Sequence, residues 1–500
     1  MAATRPEALR IEREATLLVR QFAERAFSRA AGAPLVGGNS VRILRNAAEN
    51  YPAWLAAIGA AKRSILFENY IIADDAVGRE FAAALAERAR AGVKVRVIYD
   101  WMGALGAASR RVLQPVAAAG GEVRCFNPPR FDSPFGWLSR DHRKMVAVDG
   151  EVGFVAGLCV SRKWAGDPLL GMEPWRDTGI EVRGPAVADI EQAFAEVWAA
   201  TGSPIPEDEL SDAGAIAAAG KVALRVLATQ PNVAALYRLD QLIAAMARRT
   251  LWLADAYFVG VAAYVQALRA AALDGVDVRL LVPGASDVPV ISPLSRAGYR
   301  PLLEAGIRVF EWNGPMLHAK TAVADCRWAR VGSSNLNIAS WMGNYELDVA
   351  VDDPDFAAAM HDMYEQDLAS ATEIVLAARN RVRAAAPRRR RRGARGGSAS
   401  RAAAGALRIG NTVGAAITNR RLLGSTEAGV MTGVGLVLLG LAALIAVWPW
   451  LVALPLAAIG AWTAVTLLIR AQELRAQRAR EAAEEARASS AGAAQDRDAD

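Results

Sequence analysis

Histidine, lysine and cysteine are scarce in this 500-residue chain, which contains three, six and three of them, respectively. The cysteines, Cys125, Cys159 and Cys326, lie far apart, with no CxxC pair and no histidine beside two cysteines. These absences exclude a disulfide framework and a structural zinc cluster. Free thiols are typical of a reducing compartment, and the length predicts more than one domain or an internal duplication.

Acidic residues are absent between Glu373 and Glu427, where 13 arginines occur, including the run Arg388 to Arg392. Removing these 13 charges from the net charge of +6 leaves −7 for the rest of the chain. The basic character therefore belongs to one segment rich in Arg, Gly, Ala and Ser, which is typical of a flexible linker. The net negative charge of the remainder argues against a general nucleic-acid-binding domain, so a nucleic-acid partner is not expected.

Charged residues are also missing from Ala428 to Ile469, a run of 42 residues. A membrane-spanning helix needs about 20 apolar residues, so this run has room for two. Trp448, Pro449 and Trp450 lie near its middle and predict a turn at the membrane–water interface. Arginines flank both outer ends, which predicts that both chain termini lie in the cytoplasm.

The body of the chain contains an internal repeat. In each half a helical stretch ends at a glycine, Gly92 or Gly275, and an alternating β-branched strand follows at once, VKVRVIYD or VDVRLLVP. Such helix–glycine–strand units predict an α/β fold with largely parallel strand pairing. The predicted segments are an N-terminal helix over 1–34 that ends near the glycine-rich GAPLVGGNS turn, a first half over 35–205, a second half over 206–380, an Arg-rich linker over 381–427, two transmembrane helices over 428–470 and a charged, partly disordered tail over 471–500.

The duplication carries a second motif. The first half contains His142-Arg143-Lys144, with Asp149 five residues after the lysine, and the second contains His318-Ala319-Lys320, with Asp325 at the same spacing. Residues i and i+2 of a strand share a face, so each motif places an imidazole beside an ammonium group. Four of the nine histidines and lysines therefore occupy matched positions.

Two imidazoles and two ammonium groups that meet at a pseudo-twofold axis suit a phosphodiester substrate. The lysines can stabilise negative charge on phosphate oxygens in the transition state. One histidine can attack phosphorus, and the other can protonate the leaving alkoxide and then deprotonate the acceptor. This chemistry requires neither a metal ion nor another cofactor, so none is predicted.

The doubled HxK(x)4D motif, with Gly332-Ser333-Ser334-Asn335 after its second copy, resembles the phospholipase D superfamily. The segments LFENYII, RDHRKMVAVDG, WRDTGIEVRGPAV, LHAKTAVAD and VGSSNLNIASWMGNYELDVAV look most like its bacterial cardiolipin synthase-like branch. The resemblance implies a duplicated domain of two β-sheet-plus-helix halves related by a pseudo-twofold, here followed by the transmembrane helical hairpin. It also implies membrane phospholipids, anionic ones among them, as partners, and a place at the bacterial inner membrane with the catalytic domain on the cytoplasmic side.

The resemblance also implies a role for each matching residue. His142 is the expected nucleophile, which gives a phosphohistidine intermediate, and His318 is the expected general acid and base. A carboxylate beside an imidazole fixes its tautomer and stabilises its charged form. The remaining expected roles are phosphate binding by Lys144, Lys320 and Asn335, imidazole orientation by Glu346 and Asp177, and support by Ser333, Asp149 and Asp325, of which the two aspartates hold the turn after each strand.

Two features depart from the family pattern. Cys159 stands where the family has an asparagine, and because a thiol is a poor hydrogen-bond donor we expect an asymmetric phosphate site. The predicted anchor is C-terminal, whereas bacterial cardiolipin synthases with transmembrane anchors usually carry them at the N-terminus.

Several functions remain open at this point. Phosphatidyl transfer from one phosphatidylglycerol to another, with release of glycerol, fits the cardiolipin synthase-like branch, and hydrolysis of a phospholipid to phosphatidic acid would use the same intermediate. A membrane-tethered nuclease is an alternative supported by the Arg-rich linker. A membrane scaffold with a vestigial site is another, supported by Cys159.

Overall fold

The structure, a computed structural model, describes residues 24–103, 107–129, 139–288, 295–376 and 420–423, with isolated positions between 439 and 465. Residues 1–128 and 138–427 belong to one compact unit, and residues 129–137 and 428–500 belong to a second. The predicted tail, most of the predicted linker and most of the predicted hairpin lie outside the described residues. The elements named below belong to the first unit.

The first half of this unit is a mixed sheet with helices between its strands. Its elements are β1 (Val36–Arg45), α1 (Asn46–Ala60), β2 (Ser64–Asn69), α2 (Ala76–Arg90), β3 (Lys94–Asp100), α3 (Ala107–Val112), α4 (Gln114–Ala118), β4 (Glu122–Phe126), β5 (Lys144–Val148), β6 (Val152–Ala156), α5 (Arg162–Ala165), β7 (Thr178–Arg183) and α6 (Val187–Ala200). Strands β2, β3 and β4 pair in parallel. Strand β5 pairs antiparallel with β2, and β6 and β7 continue the antiparallel part.

The second half repeats this arrangement. Its elements are β8 (Val222–Thr229), α7 (Ala235–Met246), β9 (Thr250–Ala254), α8 (Ala262–Leu273), β10 (Asp277–Pro283), α9 (Tyr299–Glu304), β11 (Arg308–Trp312), β12 (Thr321–Ala324), β13 (Trp328–Gly332), β14 (Glu346–Asp352), α10 (Pro354–Leu368) and β15 (Ala371–Leu376). Strands β9, β10 and β11 are parallel, and β12, β13 and β14 follow as an antiparallel series beside β9. The strand order β14-β13-β12-β9-β10-β11 thus matches β7-β6-β5-β2-β3-β4.

Strands β1 and β8 join the two halves. They pair antiparallel with each other, and each also pairs with the third strand of the antiparallel series in its own half, β7 or β14. The predicted duplicated α/β architecture is therefore confirmed. The expectation of largely parallel pairing was wrong for the strands around the motifs. Turns of three residues, 149–151 and 325–327, connect β5 to β6 and β12 to β13, and such short turns can join only antiparallel strands.

Four hydrophobic clusters are present among the residues that the structure describes, and three of them show how the helices and the two halves pack. One packs Trp54 of α1 and Phe81 of α2 on the first sheet, and a second packs helices α7, α8 and α9 on the other sheet. The third contains residues of both halves, among them Val182, Phe194 and Leu347. Because this third cluster is shared, the halves cannot separate without exposing it to water.

Helix boundaries follow the local signals. Asp75 accepts a hydrogen bond from the Gly78 amide (3.0 Å) at the start of α2, and Asp353 caps α10 in the same way. Gly92 and Gly275 follow α2 and α8 with φ of +87° and +92°. This left-handed conformation favours glycine and ends each helix just before its strand.

The N-terminal region differs in part from the prediction. A helix does precede Gly32, and Ala31 is buried in the core of the second half. The glycine-rich run predicted as a turn instead begins strand β1 at Val36, with an irregularity in its pairing to β8 between Val36 and Asn39. The side-chain amide of Asn39 donates to the Val36 carbonyl (2.8 Å) and stabilises this irregular part of the strand.

Two observations concern the C-terminal third. Residues Arg420–Leu423, inside the predicted linker, form a strand, β16, that pairs parallel with β15. Across the part of the chain that the structure describes, no helix is both long enough and apolar enough to span a membrane.

Candidate active site

Both histidine–lysine motifs lie at the carboxyl ends of the parallel strands. Lys144 is the first residue of β5 and pairs with Asn69, the last residue of β2, and Thr321 after Lys320 pairs with Ala254, the last residue of β9. Loops at this edge of a sheet are the usual place for ligand binding in α/β proteins. The duplication thus brings two motifs to equivalent edges.

The aspartates at the ends of the motifs lie in the turns after β5 and β12. The Asp149 carboxylate accepts hydrogen bonds from the backbone amides of residues 62, 63 and 64 at 2.7–2.8 Å. Asp325 accepts from the amides of residues 248, 249 and 250 at 2.7–2.9 Å. Both aspartates have positive φ, 56° and 53°. Each carboxylate therefore ties its turn to the start of the neighbouring strand.

The histidine of each motif is oriented by a carboxylate from the opposite half. His142 Nδ1 lies 2.9 and 3.1 Å from the two oxygens of Glu346, and His318 Nδ1 lies 2.7 Å from Asp177 Oδ2. A carboxylate bound at Nδ1 favours the tautomer that carries its proton there. Nε2 of each ring is then left with a lone pair.

Backbone hydrogen bonds repeat this exchange between the halves. The His142 amide donates to the carbonyl of Tyr345, which precedes Glu346 (2.9 Å). The His318 amide donates to the carbonyl of Arg176, which precedes Asp177 (2.7 Å). In each half, therefore, both the ring and the backbone amide of the histidine are hydrogen-bonded to two consecutive residues of the other half.

Burial and the lysines hold both imidazoles neutral. Burial lowers the pKa of His318 to about 4, and the charge of Lys320 acts in the same direction. Burial also lowers the pKa of His142, with Glu346 opposing this and the two lysines adding to it. Lys144 and Lys320 each lower the pKa of both histidines. The two motifs are therefore close enough to form one site.

The lysines lie against the histidines of their own motifs. Lys320 Nζ is 2.8 Å from Nδ1 and 3.0 Å from Nε2 of His318 and donates to the His318 carbonyl, and Lys144 donates to the His142 carbonyl. Burial lowers the pKa of Lys320 to about 8. A phosphate bound here would compensate for the positive charge that this buried region holds.

The two orienting carboxylates have different surroundings. Burial acts to raise the pKa of Glu346, but His142, Lys144 and the Ser333 hydroxyl (2.6 Å) together lower it. The Asn344 amide also donates to Glu346, at 3.2 Å. Burial likewise acts to raise the pKa of Asp177, and His318, Lys320 and Trp164 lower it.

In the pair of His318 and Asp177, the indole of Trp164 supplies the hydrogen bond that the Ser333 hydroxyl supplies to Glu346. Trp164 Nε1 donates to Asp177 Oδ2 at 2.8 Å. Gly157, which corresponds in sequence to Ser333, lies so close that a Cβ there would be 2.2 Å from Asp177 Oδ1. A serine at 157 would collide with the carboxylate, so the donor must come from elsewhere.

Asn335 and Cys159 occupy corresponding positions in the two halves, and both are buried. The side-chain oxygen of Asn335 has no hydrogen-bond partner among the residues that the structure describes. Burial raises the pKa of the Cys159 thiol, while Lys144 and Lys320 oppose this. The thiol is therefore neutral beside the same two lysines, and the polar lining of the site is asymmetric.

Aromatic rings that the sequence patterns did not predict line the site. The ring of Tyr70 lies 5.0 Å from that of His142, and Tyr257 lies 5.7 Å from His318. Trp164 and Trp175 add rings 5.1 and 5.8 Å from His318. The tyrosines follow corresponding strands, in LFENY and LADAY, so the repeat itself could have indicated them. No comparable signal marks the tryptophans.

Arg143, between the histidine and lysine of the first motif, was also missed. It is fully buried and donates to the Glu346 carbonyl (3.1 Å) and the Thr229 carbonyl (3.2 Å) of the other half. The remaining histidine, His361, stacks on Trp252 with ring centroids 4.0 Å apart. Within the described ranges, no group of three or more His, Cys, Asp or Glu side chains is arranged to hold a metal ion.

Comparisons with known proteins show the family to which the chain belongs. The family model for the cardiolipin synthase, phospholipase D-like domain matches residues 54–198 and 239–368. The chain is 35% identical over 373 residues to cardiolipin synthase A of Pseudomonas aeruginosa (strain LESB58), covering 72% of this chain and 73% of that protein. It is 32% identical over 338 residues to cardiolipin synthase 2 of Bacillus anthracis, covering 67% of this chain and 65% of that protein.

A solved structure shares the fold. The crystal structure of phosphatidylserine synthase from Haemophilus influenzae Rd KW20 superposes with a TM-score of 0.54 and 13% identity, over 70% of this chain and 91% of that one. The duplicated fold, with its two histidine–lysine motifs, defines a phospholipase D-type enzyme. More particularly, the chain belongs to the cardiolipin synthase, phospholipase D-like family.

Proposed function

We propose that the protein is a membrane-attached phosphatidyltransferase that forms cardiolipin from two molecules of phosphatidylglycerol and releases glycerol. Its family membership supports the substrate class, because the relatives are named cardiolipin synthases. The observation that carries the proposal is the pair of imidazole–carboxylate contacts that cross between the halves, His142 with Glu346 and His318 with Asp177. Two oriented imidazoles beside two lysines supply one nucleophile and one acid–base group.

In the first step, Nε2 of His142 attacks the phosphorus of one phosphatidylglycerol. The N–P bond forms as the bond from phosphorus to the glycerol oxygen breaks, and His318 donates a proton to that oxygen. The bound anionic phosphodiester offsets the positive charge of Lys320, which lowers the pKa of His318 in the free enzyme. Substrate binding therefore raises the pKa of His318 and favours its protonated form, which is the form that donates the proton.

In the second step, His318 takes a proton from the hydroxyl of a second phosphatidylglycerol. That oxygen attacks phosphorus, the N–P bond breaks, and cardiolipin leaves with His142 neutral again. Water in place of the second lipid would give phosphatidic acid by the same route. Lys144, Lys320 and Asn335 would bind the equatorial oxygens in both steps, since both lysines act on each motif histidine and the buried Asn335 side chain has an oxygen with no hydrogen-bond partner among the described residues.

We further propose that residues 428–470 attach the enzyme to the bacterial inner membrane as a helical hairpin, with the catalytic halves on the cytoplasmic side. The described positions in this stretch are mostly helical, and Leu439, Trp448, Trp450 and Leu454 are exposed. Large apolar side chains exposed to water are unfavourable, whereas a bilayer would cover them. The flanking arginines support the orientation.

The activity test uses the purified full chain with phosphatidylglycerol vesicles. We expect cardiolipin and glycerol in equal amounts, and no product from His142→Ala. Phosphatidic acid as the main product would replace transfer with hydrolysis. If neither lipid forms and nucleic acid is cleaved instead, the nuclease alternative would hold.

The attachment test introduces charge into the proposed hairpin. An arginine at the centre of a spanning helix costs about 2.5–3.5 kcal/mol, so Leu439→Arg with Ile459→Arg, near the middle of each proposed helix, should release the full chain from the membrane fraction. The unchanged chain should resist extraction by alkaline carbonate. If both proteins stay with the membrane, the hairpin is not the anchor.

A further inference from the structure

The loop between α5 and β7 carries an unusual apolar tip. Leu169 is 98% exposed, the neighbouring Leu170 is 58% exposed, and Met172 is also exposed. Side chains of this kind are normally buried in a soluble domain, and a contiguous exposed apolar patch is typical of an interaction site. The tip needs a partner that removes it from water.

The loop is ordered by its own hydrogen bonds. The Asp167 carboxylate accepts from the Leu169 and Leu170 amides at 3.1 and 3.3 Å. Asp167 and Met172 exchange two backbone hydrogen bonds of 2.8 and 2.9 Å, and the Trp175 amide closes the loop onto the Lys163 carbonyl at 3.2 Å. A loop fixed in this way presents the leucines at little entropic cost on binding.

The tip is directly connected to the catalytic site. The loop begins beside Trp164 and ends at Trp175, whose rings lie 4.6 Å apart. Both rings also contact the imidazole of His318, at 5.1 and 5.8 Å. A surface that binds Leu169 and Leu170 would therefore lie at the His318 side of the site.

We propose that Leu169 and Leu170 insert into the surface of an anionic phospholipid bilayer and thereby seat the entrance of the catalytic site on the membrane. The inference rests on the proposed function, because the scissile phosphate of a bilayer lipid must reach a buried imidazole. The tip is continuous with that substrate interface through Trp164 and Trp175. Indole rings also favour the membrane–water boundary.

The charged residues of the loop are also consistent with binding to an anionic bilayer. Lys163 is exposed, and its ammonium lies 5.3 Å above the ring of Trp175, where lipid phosphates would meet it. Asp167 is engaged by the loop amides and lies 3.8 Å from Arg162. The exposed Glu173 offsets one of the positive charges on the loop. The two leucines therefore supply most of the free energy of membrane binding, and Lys163 adds attraction to anionic lipid.

The first test compares one reaction on two physical forms of the substrate. The full chain is reconstituted either in phosphatidylglycerol vesicles or in phosphatidylcholine vesicles supplied with monomeric dihexanoyl-phosphatidylglycerol. From the transfer free energy of two leucines, Leu169→Ser with Leu170→Ser should lower the rate on the bilayer lipid about tenfold or more. The rate on the monomeric lipid should be unchanged, because the chemical groups are intact.

Leu273→Ser is the matched control. Leu273 is 73% exposed at the end of α8 that precedes β10, opposite the carboxyl ends of the strands. This variant should keep both rates. Equal activity of the tip variant on both lipid forms, or an equal loss on both, would overturn the docking proposal. An unchanged chain that is inactive on both forms would instead overturn the proposed function.

A second measurement does not depend on catalysis. Cys125 and Cys326 are replaced by serine, and a polarity-sensitive dye is attached to Leu169→Cys or, as a control, to Leu273→Cys in the full chain. Emission at position 169 should shift to shorter wavelength in phosphatidylglycerol vesicles relative to detergent micelles, while position 273 should show no shift. The absence of a shift at 169 would contradict insertion even if the enzyme is active.

Discussion

The two halves place the same catalytic frame in different surroundings. Glu346, which orients His142, accepts hydrogen bonds from a hydroxyl and a side-chain amide, those of Ser333 and Asn344. Asp177, which orients His318, accepts one from the indole of Trp164 instead. Among the residues that the structure describes, His142 has one aromatic ring beside it, that of Tyr70, whereas the rings of three residues lie beside His318, those of Trp164, Trp175 and Tyr257.

This difference is consistent with the two roles that we propose for His142 and His318. The strands and the histidine–lysine motifs repeat, so both imidazoles are held in equivalent positions. The pKa of His318 falls to about 4 because burial is strong on that side and Lys320 lies against the ring. An acid–base group whose proton affinity depends on bound phosphate suits proton transfer, while the more polar pair suits the nucleophile.

The comparison is tested most severely at the histidines themselves. His142→Ala and His318→Ala should each lower kcat by about a thousandfold or more, since the nucleophile and the acid–base group that we propose would act as a unit. A phosphatidyl-enzyme should be trapped in His318→Ala with a substrate that has a good leaving group, and none should be trapped in His142→Ala. Trapping in the second variant alone would reverse the two roles.

The carboxylates should show the next largest effect. Glu346→Gln and Asp177→Asn should each lower kcat/KM by about a hundredfold, because the imidazole loses the group that fixes its tautomer. Nitrogen NMR of the chain, which has only three histidines, should show the change at His142 in the first variant and at His318 in the second. Changes confined to the histidine of the same half would contradict the pairing between halves.

Lys320 should determine the alkaline side of the pH profile. Its pKa is about 8 because burial disfavours the ammonium form, and only that form attracts phosphate. Above pH 8, kcat/KM should therefore fall about tenfold per pH unit. Lys320→Arg, which stays charged, should move this decline to higher pH, and Lys144→Arg should leave it in place. A decline that moves only in the Lys144 variant would exclude this assignment.

The hydrogen-bond donors to the carboxylates should matter less. Trp164→Phe removes the donor to Asp177 and keeps most of the ring, so we expect a loss of about tenfold in kcat/KM from one hydrogen bond to a charged group. The carboxylate becomes more basic, so the pKa of His318 should rise. Ser333→Ala should do the same to His142, and Trp175→Phe should change neither pKa. NMR titration of the two imidazoles checks all three variants.

Cys159→Asn should have the smallest effect. Cys159 corresponds to Asn335 and lies beside both lysines, so an amide would add a donor for phosphate on the side that lacks one. One neutral hydrogen bond is worth about 0.5–1.5 kcal/mol, so KM should fall by about twofold to tenfold with little change in kcat. A higher KM would indicate that the site is adapted to the smaller thiol.

Much of the frame could be predicted from sequence because it depends on local signals. Gly92 and Gly275 mark the helix–strand junctions by their conformational freedom. The HxK spacing places two side chains on one face of a strand, and the structure brings both motifs to matching edges. The extent of parallel pairing is smaller than the repeat predicts, because the short turns at Asp149 and Asp325 can join only antiparallel strands. The membrane segment and the domain limits remain predictions.

The rest of the site depends on contacts between residues far apart in the chain. His142 and Glu346 are 204 positions apart, and His318 and Asp177 are 141 apart. Sequence order offered no reason to assign either carboxylate to the histidine of the opposite half. The role of Trp164 could not be predicted from sequence either, because it depends on a spatial contact with Asp177 and on the absence of a side chain at Gly157.

The sequence by itself determined the duplication, the two histidine–lysine motifs and the class of phosphodiester chemistry, since these follow from spacing and from the types of side chain present. Only the tertiary structure decided which carboxylate orients which imidazole, how strongly each ring is buried and where the loop with Leu169 and Leu170 projects. Hydrogen bonds, burial and exposure depend on distances in space, and the packing of the two halves sets those distances.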